Sequence, residues 1–156
     1  MGDFGSFYLR HRSEIFHYLL RMTGDHALSE DLLQESFTRF LDRYGKADPA
    51  LALLYTIARN ALIDHWKKKK PGTLAGGVDG AGGGNPEERF IAREEARLLL
   101  RALGALPEDE RDLLSLAVTG NLSYREIAGL SGLSEGNVKV KIHRARRKLR
   151  ELLKET

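Results

Sequence analysis

Apolar residues recur every three or four positions along most of this chain, and nowhere do they alternate with period two over a useful length. That spacing lines one face of an α-helix and cannot line one face of a strand, so the expected fold class is all-α. A first helix is expected over Phe4 to Met22, burying Phe7, Tyr8, Ile15, Leu19 and Met22 and stopping at Gly24. Asp25 caps a second, with Leu28, Leu32, Phe37, Phe40, Leu41 and Tyr44 inward and Gly45 closing it. Asp48-Pro49 starts a third, from Ala50 towards Lys70, whose inner face is Leu51, Leu54, Ile57, Ala58, Ala61, Leu62 and His65.

The pattern then fails. From Pro71 to Gly84 glycines, alanines and one aspartate replace it, a composition that buries too little to offset chain entropy. Two small helical domains joined by a flexible linker are therefore expected: 1–70, a linker over 71–86, and 87–156. Asn85, Pro86 and Glu88 open a fourth helix that reaches about Leu103 and stops at Gly104. Pro107 starts a fifth, Glu108 to Thr119, with Gly120 as its stop. Ser123 and Glu126 form a capping box for a short helix ending at Ser131, Gly132-Leu133 makes a turn, and Ser134 caps a last helix to about Lys154.

Composition narrows the function classes. At 156 residues, 42% hydrophobic and 30% charged, the chain is that of a globular protein. It has no cysteine, which rules out disulfides, thiolate-bound zinc and thiol redox sensing. Its start lacks a charged leader followed by an apolar run, and no stretch approaches the ~20 apolar residues of a membrane span, so a cytoplasmic location is expected. There is no phosphate loop, no Gly-x-Ser-x-Gly and no His-Glu-x-x-His, and the histidines lack metal-ligand spacing. No enzyme activity, metal, cofactor or small-molecule substrate is expected.

The net charge is only +3, but its placement is uneven. From Gly136 to Arg150 there is no acidic residue, while Lys139, Lys141, Arg144, Arg146, Arg147, Lys148 and Arg150 are all basic. Ala128 is small where two helices cross, Gly132 suits the tight turn, and Ile127, Leu133, Val138 and Ile142 close a miniature core. Glu135, Asn137, Lys139, Lys141 and Arg144 then project from the first turns of the second helix. This is the pattern of a helix-turn-helix presenting a recognition helix to a major groove. Asn137 suits an adenine edge, and Lys139, Lys141 or Arg144 a guanine; Arg147 and its neighbours suit phosphates or a solvated face.

Two further segments stand out. Asp31, Glu35 and Asp42 share a surface stripe, which by periodicity alone means no more than an amphipathic helix. Tyr55 to Trp66, followed by Lys67 to Lys70, sets aromatics and amides beside a cationic run, a composition suited to single-stranded DNA, although Tyr55 and Trp66 also fit a core.

Taken together, the chain resembles the extracytoplasmic-function (ECF) subgroup of the sigma-70 family. The resemblance lies in Asp31 to Phe37 (DLLQESF), Ile57 to Asn60 (IARN) with Asp64, Leu106 to Arg111 (LPEDER), Ser134 to Lys139 (SEGNVK) and His143 to Arg146 (HRAR), in that order. It implies that Asp31, Gln34 and Glu35 dock on the clamp helices of bacterial core RNA polymerase. It implies that Tyr55, Arg59, Asn60, Lys67 and Lys68 serve the −10 element, and that Ser134, Glu135, Asn137, Lys139, Lys141, Arg144 and Arg147 serve the −35 element, with the polymerase flap as a further contact. An anti-sigma factor is a partner the resemblance also implies. Where family members carry basic and aromatic residues before the IARN stretch, this chain has Ala50 to Leu54 (ALALL). That departure keeps open a sigma mimic that binds an anti-sigma partner without DNA, beside a stand-alone helix-turn-helix regulator.

Overall fold

The computed structural model describes residues 4–44, 50–68 and 86–154. Among them run seven helices: α1 (Phe4–Thr23), α2 (His26–Tyr44), α3 (Leu51–Lys68), α4 (Pro86–Gly104), α5 (Glu108–Ala117), α6 (Tyr124–Ser131) and α7 (Glu135–Lys154). The expected stops and starts at Gly45, Asp48-Pro49, Pro71 and Asn85, the side chains of Tyr44 and Glu88, and the linker up to Asn85 lie outside the described residues.

Local chemistry sets the helix ends. Gly24 takes a φ of 67°, which an L side chain rarely adopts, and its amide donates to the Leu20 carbonyl at 2.8 Å. Asp25 then caps α2 through its carboxylate, which accepts from the Leu28 amide at 3.1 Å. Pro107 stands at the N-cap of α5 without a side-chain bond, and Glu108, Asp109 and Glu110 set three carboxylates against the helix's positive end. That helix closes at Ala117, two residues short of the expected Thr119, before the turn at Gly120, whose φ is 72°.

Helices α1, α2 and α3 pack around Phe7, Ile15, Tyr18, Leu19, Phe37, Phe40, Leu54 and Leu62. Leu41 departs from expectation and is 46% exposed. The buried side of α2 is centred on Ser29 and Ser36, both fully buried, so the apolar face is rotated away from Leu41. Those serines are satisfied internally: Ser36 donates to the Leu32 carbonyl at 2.6 Å and Ser29 to the Asp25 carbonyl at 2.7 Å. Helices α4 to α7 pack around Leu113, Leu116, Ile127, Val138, Ile142 and Ala145. The two groups also touch, α1 meeting α4 and α5, and α3 meeting α6.

Candidate nucleic-acid and polymerase interfaces

The helix-turn-helix forms at α6 and α7. Ser123 accepts from the Glu126 amide at 3.0 Å, and the Glu126 carboxylate accepts from the Ser123 amide at 2.9 Å, closing the expected capping box. Gly132 adopts a φ of 76°, and the amides of Gly132 and Leu133 both donate to the Ala128 carbonyl. Ser134 caps α7, its hydroxyl accepting from the Asn137 amide at 3.2 Å. Ser134 is exposed and orients the recognition helix through this cap.

Val138, Ile142 and Ala145 are buried, which fixes the rotation of α7. Glu135, Asn137, Arg144 and Arg147 lie exposed, and the side chains of Arg144 and Arg147 have no partner among the described residues. The two lysines expected beside them lie on the flanks. The Lys139 ammonium sits 5.9 Å from the centre of the Tyr124 ring. Lys141 Nζ donates to Asp109 Oδ2 at 2.6 Å, a bond that holds the Asp109 carboxyl below its ordinary pKa. Lys148 reaches both oxygens of the nearly buried Glu110 at 2.9 Å. The acidic first turn of α5 thus clamps α7 from one side, a role its sequence did not signal.

On α2, Asp31, Gln34 and Glu35 are all exposed, and Asp42 continues the stripe. Glu35 accepts from Arg39 at 2.9 Å, and Arg39 also reaches Asp64 of α3 at 3.1 Å, so this stripe is braced against the neighbouring helix.

On α3, Asn60, Lys67 and Lys68 are exposed. Tyr55 is not available to stack on a base here. Its ring is fully buried, edge-on to Tyr18 with centroids 5.6 Å apart, and its hydroxyl donates to Glu14 Oε1 at 2.9 Å. Burial and then Glu14 push its pKa up. An inward register on α3 makes Tyr55 a core residue. Trp66 is half-buried and lines a cleft of about 400 Å³ between α1, α3 and α5, with Tyr18, Arg59 and Asp112 among its walls.

Arg59 is engaged as well, by a residue that sequence reasoning missed. Its Nε donates to Asp112 Oδ2 at 2.7 Å, while the fully buried Tyr18 hydroxyl donates to Asp112 Oδ1 at 2.7 Å. Burial drives the Tyr18 pKa up and Asp112 adds to that. For Arg59 burial pulls the pKa down, but the Asp112 bond and charge outweigh it and the net shift is upward. Around this node Arg21 donates to the Ser115 carbonyl at 2.8 Å, and Asn121 to Glu14 at 3.1 Å. All four bonds join the α1–α3 group to the α4–α7 group. No cluster of His, Cys, Asp and Glu suited to a metal occurs among the described residues, and no described helix is long and apolar enough to cross a membrane.

A capped helix-turn-helix with a basic outer face, carried with a second helical bundle that bears an acidic stripe, defines a DNA-reading protein of the helix-turn-helix class. Residues 7–71 match the family model for Sigma-70 region 2, and residues 96–149 that for Sigma-70 region 4. The chain is 32% identical to the ECF RNA polymerase sigma factor SigM of Bacillus subtilis, over 93% of this chain and 91% of that one. It is 33% identical to the ECF RNA polymerase sigma factor SigL of Mycobacterium tuberculosis, over 95% of this chain and 87% of that one. In fold it resembles the sigma factor RpoE of Bartonella quintana, solved in complex with the anti-sigma factor NepR, with a TM-score of 0.80 at 23% identity over 97% of both chains. The chain belongs to the sigma-70 family, among its ECF RNA polymerase sigma factors, which are transcription initiation factors and not enzymes.

Proposed function

We propose that this chain acts in the cytoplasm by directing core RNA polymerase to promoters through three surfaces. Asp31, Gln34 and Glu35 on α2 dock on the clamp helices. Arg59, Asn60, Lys67 and Lys68 on α3 serve the −10 element. Asn137, Arg144 and Arg147, oriented by the Ser134 cap, read the −35 element, with Glu135, Lys139 and Lys141 on their flanks and the polymerase flap contacting the same domain. The observation that carries this reading is α7 itself: a recognition helix whose outer face holds cations without a partner among the described residues and, from Gly136 to Arg150, no acid. An anti-sigma factor is the partner that holds the chain inactive.

The geometry sets a requirement on the two DNA readers. The −10 and −35 elements lie about 25 base pairs apart, roughly 85 Å at 3.4 Å each. A closed globule of 156 residues has a radius of gyration of only about 15 Å. The domains 1–70 and 87–156 must therefore part before both elements are read. A segment as long as 69–85 spans at most roughly 60 Å at about 3.5 Å per residue, and the width of the two domains it joins covers the remaining distance. Parting breaks the Arg59–Asp112 bond and frees Arg59 for the −10 element. Binding at one element then raises the effective concentration of the other reader.

Run-off transcription with core polymerase tests this. Duplexes are first selected from a random library by the assembled holoenzyme and then used as templates. Wild-type chain is expected to give specific transcripts, Glu35→Lys with Asp31→Lys to lose core association, and Arg144→Ala to lose about tenfold in −35-dependent initiation. No specific transcript from any selected template would overturn the proposal.

A further inference from the structure

The outer face of α7 is not uniformly polar. Successive residues on an α-helix are 100° apart, so Val140, two positions after the fully buried Val138, points away from the core. Its side chain is 47% exposed, an isopropyl group on the face that also carries Asn137, Arg144 and Arg147. Lone exposed valines are ordinary on protein surfaces. This one is set apart by its surroundings. The lysines on either side of it turn to the flanks, Lys139 to the Tyr124 ring and Lys141 to Asp109. One turn earlier stands Gly136, where an added Cβ would meet nothing within 4 Å, so the backbone there is bare. The centre of the DNA-facing ridge is thus a small apolar group with open space before it and, after it, the cations Arg144 and Arg147, which have no partner among the described residues.

The major groove offers one apolar group to such a surface, the C5 methyl of thymine, which cytosine lacks. A valine on a helix is nearly confined to one χ1 rotamer, so its methyls are held in place before DNA arrives. The basic ridge supplies the charge complementarity that brings duplex DNA to this face. The geometry points to Val140 as a specificity-determining residue that packs against a thymine methyl in the −35 element. This rests on α7 being the −35 reader. It assigns Val140 an apolar contact, beside the polar ones expected of Asn137 and Arg144.

Deoxyuridine tests the contact by removing only the methyl. Holoenzyme assembled with the full chain first selects its preferred −35 sequence from random duplexes. Each thymine of that element is then replaced singly by deoxyuridine, and affinity is measured at fixed salt. At one position the wild-type complex is expected to lose about fourfold, the worth of one buried methyl. Val140→Ala is expected to bind the thymine template about fourfold more weakly and to be indifferent to deoxyuridine at that position, while Val140→Thr keeps one methyl and falls between. Thermal melts of both variants should match wild type, because the side chain is exposed. Indifference of wild type to every replacement, a loss that persists undiminished in Val140→Ala, or a selected element without a thymine overturns the assignment while leaving the sigma-factor reading intact. Failure to select any −35 sequence overturns both.

Discussion

Asp112 is 7% exposed, and each of its oxygens accepts one 2.7 Å bond, from Tyr18 and from Arg59. Removing one partner of such a pair leaves the other charge poorly solvated, which costs more than the pair contributes when intact. Asp112→Asn keeps the shape but loses the charge, and is expected to destabilise the closed chain by about 3 kcal/mol, read by urea denaturation. A change of a few tenths would show that the pair is solvent-screened. The tyrosines make a second prediction. Burial raises the pKa of both Tyr18 and Tyr55, so the folded chain keeps protons that the unfolded chain releases near pH 10. Their contribution to stability is complete below pH 10 and is lost as pH rises above it. Phenolate absorbance from these two rings should develop only with alkaline unfolding, and should do so earlier if either ring is accessible.

The capping box and turn of the helix-turn-helix are short-range features, and they were legible because donor and acceptor lie within five residues of each other. Ser123→Ala should cost about 1 kcal/mol through loss of the cap. Gly132→Ala should cost a similar ~1 kcal/mol, from the positive φ alone, since its Cβ would meet nothing. Both are measured as shifts in thermal unfolding, and an unchanged melt for either variant would show that its bonds do not hold α6 against α7. What periodicity missed were faces turned by polar residues. Ser29 and Ser36, which carry no apolar signal, sit in the core of α2, and Leu41 is left exposed. Tyr55 suits either a base-stacking ring or a core by its sequence setting, and only the packing of α1 against α3 decides for the core, where it reaches Glu14. Lys141 reads as a DNA contact, and only the position of α5 reveals the carboxylate that holds it.

At the scale of the whole molecule, the division into two helical groups follows from where the periodic pattern breaks, but the bonds between those groups do not. Arg59 and Asp112 are 53 residues apart, Tyr18 and Asp112 are 94, and Asn121 and Glu14 are 107, so no local pattern pairs them. This closed arrangement is expected to open when the chain takes its place on polymerase and promoter. The chain has no cysteine, so single cysteines at the exposed Thr38 of α2 and Arg125 of α6 can carry a donor and an acceptor without background labelling. Energy transfer between them should be high in the free chain. In a transcribing complex it should fall, as the separation grows by about 30 Å or more. A separation that stays unchanged in a complex shown to initiate transcription would rule out that opening.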